Sequence, residues 1–87
     1  MPFRSVQLDL EFLESFSGFE RGDRRRFLRA LHLLDENERH PSLRVHALEG
    51  DLAGQWSASA SDVLRITFRR LPNGRKLVLR CSRHYDR

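Results

Sequence analysis

The sequence predicts an α+β domain in which two N-terminal helices pack on one face of a mainly antiparallel sheet of four to five strands. Three observations carry this. Phe27, Ala30, Leu31 and Leu34 recur at i, i+3, i+4 and i+7, the spacing of one helical stripe. From Ser42 onward the apolar period switches to two, the spacing of strands with one covered face. Between the last two alternating runs stands Leu71-Pro-Asn-Gly-Arg75, and Asn-Gly is the pair favoured by a tight hairpin turn. With 87 residues the chain is a single domain over 1–87, long enough for one helical layer on one sheet but with a thin core.

Taken in order, Phe3 to Leu8 alternates and predicts a first strand. Asp9 can cap a short helix carrying Leu10, Phe12, Leu13 and Phe16, which Gly18 ends. Asp23 is the N-cap candidate for the second helix, and Arg24, Arg25, Arg26 and Arg29 fill much of its polar side. Acidic Asp35-Glu36-Asn37-Glu38 opposes the helix dipole, so this helix is expected to stop near Leu34 to Glu36, before Pro41. Four strands follow. Leu43, Val45 and Ala47 alternate with Arg44 and His46; Trp56, Ala58 and Ala60 with Ser57, Ser59 and Ser61; Leu64, Ile66 and Phe68 with Arg65, Thr67 and Arg69. After the hairpin, Leu77, Leu79 and Cys81 are expected on the apolar face and Lys76, Val78, Arg80 and Ser82 on the other. The helices should cover the apolar face and leave the Arg/His/Ser face open, with Trp56 and Cys81 read as core residues.

Charge is unevenly placed. Residues 1–40 hold seven arginines against eight acids, whereas residues 41–87 hold nine basic residues against four acids. Such a field steers polyanions and gains from counterion release, the alternative being a solvated basic face. Arg44, Arg69, Arg70, Lys76, Arg80 and Arg83 are the candidate RNA-binding residues. The single cysteine excludes an intramolecular disulfide, and no apolar run approaches the length of a membrane span or signal peptide. The expectation is a cytoplasmic protein with no membrane partner. Four scattered histidines and one cysteine match no zinc spacing, and no phosphate loop, Ser-His-Asp arrangement or paired carboxylate motif is present, so no metal or other cofactor is expected.

The chemistry-bearing residues lie in His40 to Gly50, in Trp56 to Arg70 and near the C-terminus. Metal-free RNA cleavage needs a base for the ribose 2′-hydroxyl, an acid for the leaving 5′-oxygen and fixed positive charge for the phosphorane. Imidazole suits the first two and guanidinium the third. His46, His84 and Arg65 supply these groups. Each has a plainer reading: a surface strand histidine for His46, a loose terminus for His84. Arg65, between Leu64 and Ile66 on a strand expected to be central, is the more telling of the three. Asp62 can orient an imidazole or simply form a turn, and Tyr85 adds an aromatic hydroxyl beside His84.

The run His40-Pro-Ser-Leu-Arg-Val-His-Ala-Leu-Glu-Gly50, then Trp56-Ser-Ala-Ser and Leu64-Arg-Ile-Thr-Phe68, then a strand ending near His84, resembles the RelE/ParE superfamily of bacterial type II toxins. Within it the chain is most similar to histidine-bearing RelE, YafQ-like and killer-type mRNA interferases. The resemblance implies a compact sheet with two N-terminal helices, a cognate antitoxin in a hetero-oligomer, and ribosome-dependent mRNA cleavage through a 2′,3′-cyclic phosphate. By position, it implies Arg65 as the arginine holding the scissile phosphate, His84 as general acid and His46 as the opposing histidine and base. Two departures stand out: Ser57 and Ser59 occupy positions where RelE has lysines, and the chain ends at Arg87, before the terminal aromatic common in the family, with Tyr85 as its only nearby substitute. The sequence therefore carries three readings: a ribosome-dependent endoribonuclease, a ParE-like inhibitor of DNA gyrase, and a degenerate toxin that only binds its antitoxin.

Overall fold

A computed structural model describes residues 3–84; Tyr85, one of the candidate residues above, lies outside them. The elements run β1 (Val6–Leu8), α1 (Leu10–Ser17), α2 (Arg21–Glu36), β2 (His46–Ala47), β3 (Gln55–Ser59), β4 (Leu64–Arg70) and β5 (Lys76–Arg83), with 3₁₀ turns at Pro41–Leu43 and Gly50–Leu52. The strands form one sheet in the order β1-β5-β4-β3-β2. Among the described residues β1 and β5 pair in parallel and the other neighbours antiparallel, the parallel pair being joined by the long connection through both helices and β2 to β4.

The α+β prediction holds, and β4 is the central strand, with Arg65 on it. Helical stripe and sheet meet in one core: Phe27, Leu31 and Leu34 of α2 and Phe12 of α1 lie with Leu64, Ile66, Phe68, Val78 and Ala58, all buried. Leu43, from the first 3₁₀ turn, is equally buried and closes the core at its edge. Phe19 and Phe27 meet edge to face at 4.9 Å between ring centroids, a geometry that adds to their area burial. The α1 cap is as predicted, with the Asp9 carboxylate accepting from the Glu11 N–H at 3.1 Å and Gly18 at the C-cap. The Asn-Gly turn also forms. Gly74 sits at φ +85°, and the Asn73 side chain accepts from the Arg75 N–H at 3.0 Å.

Three local expectations are corrected. First, α2 begins at Arg21 rather than after Asp23. Asp23 lies in its first turn, where a carboxylate is favoured by the helix dipole, and it bonds to Arg83 at 2.7 Å instead of capping. Second, the alternation from Ser42 does not make a long strand. Pro41 opens a 3₁₀ turn, Arg44 takes the left-handed conformation at φ 47°, and pairing is confined to His46 and Ala47. A non-glycine residue held there costs about 1 kcal/mol.

Third, Leu77 and Leu79 do not share the core face with Cys81. Thr67 pairs with Arg80 but its neighbour Phe68 pairs with Val78, so Leu79 is an extra residue in a β-bulge. The bulge reverses the parity of β5. Val78 before it and Cys81 after it are both buried against the helices, while Leu77 and Leu79 are half-exposed. On the α1 side the Ser15 hydroxyl accepts from the Cys81 N–H at 3.1 Å, and burial pushes the Cys81 thiol up from its ordinary value.

The acidic C-terminal end of α2, unfavourable by the dipole alone, is used as a clasp. The Asp35 carboxylate accepts from the backbone N–H groups of Ser5 at 2.6 Å, Val6 at 3.0 Å and Arg4 at 3.1 Å, and from the Ser5 hydroxyl at 3.2 Å. Burial pushes this carboxyl up, but the bonds from Ser5, Arg4 and Val6 outweigh it and hold the group at about 2. Such a lowered pKa stabilises the fold fully above the ordinary carboxylate value, and the contribution is lost as pH falls through about 2. Asp35→Ala is therefore expected to cost about 2 kcal/mol at neutral pH, from a shift of nearly two units. Denaturant titrations between pH 7 and 2 should show the wild type converging on the variant at the acid end. A constant gap across that range would mean the carboxylate charge is irrelevant.

Candidate nucleic-acid interface

The register of β3, β4 and β5 decides which polar side chains meet. Arg65 pairs across the ladder with Ser59 on one side and Ser82 on the other. Its guanidinium turns back over the β3–β4 turn, donating through one terminal nitrogen to the carbonyls of Ser61 at 2.8 Å and Leu64 at 3.1 Å. His84 is held beside the same turn, its backbone N–H donating to the Val63 carbonyl at 2.6 Å. Asp62 belongs to that turn as well. Arg65, Asp62 and His84 thus gather at one end of the sheet.

His46 does not join them. It pairs with Ser57, which in turn faces Thr67, so three strand spacings separate β2 from β5. At about 4.8 Å each this is about 14 Å before any offset along the strands. Its Nδ1 lies 3.0 Å from the Arg44 carbonyl. A carbonyl only accepts, so this contact puts the proton of the neutral ring on Nδ1 and leaves the exposed Nε2 with a lone pair, the tautomer a general base needs.

The basic residues divide in two. Arg70, Lys76 and Arg83 are tied to acids of the helical layer: Arg70 forms a two-pronged bond to Glu38, Lys76 lies 3.7 Å from Glu38 and donates to Ser5 at 2.9 Å, and Arg83 bonds Asp23. The Arg70 bond, with further help from its charge and those of Lys76 and Arg39, outweighs burial and holds the Glu38 carboxyl below its usual value. Arg70 also lies over the half-buried Trp56 ring at 4.4 Å, which accounts for an aromatic residue on the core parity that is not fully covered. By contrast Arg44 and Arg69 are exposed and form no ion pair among the described residues. Arg80 is intermediate, donating to Gln55 at 3.0 Å and lying 3.8 Å from Glu11. Ser57, Ser59 and Thr67 are buried on the parity opposite the core, small groups between longer side chains.

Two arginines that the sequence placed simply on the polar side of α2 have a more specific position. Arg26 and Arg29 border a cleft of about 390 Å³, facing Ser42, Arg44 and the β3–β4 turn through Asp62. Their spacing of three, on the flank of the apolar stripe, was the available signal.

No protein-family model and no curated protein sequence matches the chain. Solved structures do. The chain superposes on a YoeB/ParE toxin from Agrobacterium tumefaciens with TM-score 0.71 and 20% identity, covering 94% of this chain and 100% of that one. YafQ from E. coli gives 0.74 and 14%, with 92% of each chain covered. RelE in the archaeal RelE–RelB complex from Pyrococcus horikoshii gives 0.73 and 16%, covering 99% of this chain and 100% of that one. The fold is that of the RelE/ParE-type toxins. At these identities the likeness is one of fold, and roles for the side chains of this chain rest on its own geometry.

That division of the basic residues makes a measurable difference. If this face binds single-stranded RNA, Arg44→Ala and Arg69→Ala should each lower the slope of log affinity against log salt by up to about 0.7, with melting temperature unchanged. Arg70→Ala should instead lower the melting temperature, because it removes the two-pronged bond and leaves partly buried Glu38 with only the 3.7 Å contact to Lys76. Salt-series binding and thermal melts on the three variants check this, and equal slope changes with no melting shift would refute it.

Proposed function

We propose that this chain is the toxin of a toxin–antitoxin pair and acts as a metal-independent endoribonuclease on ribosome-bound mRNA, releasing a 2′,3′-cyclic phosphate. The observation that carries the reading is that Arg65 and the backbone of His84 meet at the same β3–β4 turn of a RelE/ParE-type sheet. A phosphate seated there meets a guanidinium fork already oriented by two carbonyls and an imidazole beside it. In this mechanism Arg65 stabilises the phosphorane charge, His84 protonates the leaving 5′-oxygen, and His46 takes the 2′-proton through Nε2. Asp62, in the same turn, supports the imidazole side of the site. For His46 to reach the phosphate, the Arg44–Gly54 segment must swing across β3. Such a movement would release the His46 and Ala47 pairs, the Leu48–Gln55 backbone bond and the packing of Val45 on the core.

The antitoxin follows from the same reading. One of the matched structures is titled as a RelE–RelB complex. Here Leu10 and Leu13 of α1 are exposed, at 69% and 48%, and Leu8 beside them at 37%, apolar surface of the kind a partner covers.

The separation of His46 from His84 favours one second reading, a non-catalytic inhibitor of DNA gyrase that needs no converging imidazoles. Mutants separate the two. Loss of a proton-transfer group costs about 10²–10⁴ in rate, so His84→Ala and His46→Ala should abolish mRNA cleavage and growth arrest while ribosome binding persists, and Arg65→Ala should impair both. Wild-type cleavage should survive chelator and vary with pH between about 5 and 8, where imidazole titrates. Growth arrest by the double histidine variant, with mRNA intact and DNA supercoiling disturbed, would replace the nuclease reading with the gyrase one.

A further inference from the structure

Arg26 and Arg29 stand one turn apart on α2 and wall a cleft whose far side is formed by Arg44 and the β3–β4 turn. A second cleft, of about 350 Å³, shares Pro41 and Arg44 with it and is bordered by Arg39, by the Glu38–Arg70 pair and by the Arg70-covered Trp56. The two clefts therefore lie on either side of Arg44. Arg44 is the one non-glycine residue at positive φ among the described residues, so the backbone is held in an unfavourable conformation where the two clefts meet.

The charges in this cleft are only partly compensated from within. Arg26 is 57% exposed and its single ion pair among the described residues is a 3.4 Å contact to Asp23, which also holds Arg83. Arg29 and Arg44 are exposed and form none. Three guanidinium groups against the single carboxylate of Asp62 leave the first cleft net positive, a site suited to an anion. Asp62 indicates which kind. It stands exposed on the same cleft, where a carboxylate would repel both phosphates and acidic side chains but accepts a hydroxyl donor. A sugar–phosphate strand alternates anions with 2′-hydroxyl donors. An acidic peptide lacks the ribose hydroxyl and offers Asp62 only backbone N–H and occasional side-chain donors, so the RNA-over-DNA preference is what separates the two.

We propose that this double cleft is a track for the backbone of single-stranded RNA, with Arg26, Arg29 and Arg44 binding successive phosphates and Asp62 accepting a ribose 2′-hydroxyl. The proposal rests on the RNA reading above and extends it from the sheet to the helical layer. Ser61 and Asp62 line the cleft and belong to the turn over which Arg65 folds, so a strand leaving the track passes directly to Arg65 and His84.

The test uses a labelled single-stranded RNA dodecamer and the DNA of the same sequence, titrated across a salt series, with every protein carrying His84→Ala so that the RNA survives. Relative to that parent, Arg26→Ala/Arg29→Ala should weaken RNA binding at least tenfold at 0.1 M salt and reduce the salt slope by about 1.4, the value for two phosphates on a single strand. Asp62→Ala should erase the preference for RNA over DNA. Melting temperatures should match the parent, since both sites are exposed. If RNA binding is unchanged in the double arginine variant, the track is wrong while the sheet site stands. If that variant loses affinity for a hepta-glutamate peptide but not for RNA, the groove belongs to a protein partner and the proposal falls. If even the parent and the wild type bind no RNA, the RNA reading itself fails.

Discussion

The extra residue in β5 is the constraint on which the rest of the site depends. Without the bulge at Leu79, residues 76, 78, 80 and 82 would share one face, and the parity would carry His84 to the helical side with Lys76 and Val78. With it, Val78 and Cys81 both enter the core although they are three apart, and Arg80 and Ser82 move to the face that carries Thr67 and Arg65. One inserted residue therefore serves packing and function together. It allows an apolar strand to remain under α1 and α2 over its whole length, and it brings the last residues of β5 beside Arg65.

Electrostatics follows the same two-sided plan. The helical layer supplies nearly all the acids that matter to the fold. Asp35 clasps the N–H groups before and within β1, Glu38 binds Arg70 and approaches Lys76, and Asp23 binds Arg83. These contacts pin the end of α2 and the ends of β4 and β5, and they remove three cations from any external role. Among the cations left over, Arg29, Arg44 and Arg69 form no ion pair among the described residues, and Arg26 has only the 3.4 Å contact to Asp23. A net charge of +4 understates the field such a distribution produces, because the neutralised pairs and the uncompensated arginines occupy different surfaces.

How much could be read from residues alone depended on whether local chemistry decided the outcome. The stripe Phe27, Ala30, Leu31 and Leu34, the Asp9 cap and the Asn73-Gly74 turn are local, and all three form as read. The central place of β4 followed from two-sided pairing between alternating neighbours. One failure was local, the 3₁₀ turn that Pro41 opens in place of an early strand, and the other two were non-local. The β5 bulge is a register event between two strands, and Leu77, Leu79 and Cys81 alternate perfectly well in one dimension. The Asp23 reading weighed capping preference against no visible competitor, whereas its competitor was Arg83, 60 residues away. For the site, Arg65 and His84 were brought to one turn by pairing of β4 with β5, but the same ladder keeps His46 three strands off. Residue types could nominate all three and could not measure between them.

The side-chain bonds of Arg65 bear on how such a site would act. A free arginine on a sheet surface samples many rotamers, and fixing it at the moment of reaction would cost conformational entropy. Here one terminal nitrogen is already anchored to the Ser61 and Leu64 carbonyls, which leaves Nε and the other terminal nitrogen as donors with a set direction. Donors oriented before the substrate arrives are worth more to a developing phosphorane than the same donors recruited from solvent, since no reorganisation accompanies the charge change. The anchor depends on the β3–β4 turn keeping its shape, and that turn is closed by backbone bonds from Ala60 and Ser61 to the Leu64 carbonyl and by the Ser61 hydroxyl accepting from Val63 and Leu64. The short Ala60-Ser61-Asp62-Val63 turn, which by composition alone looks like a plain connector, is thus the element that aims the arginine.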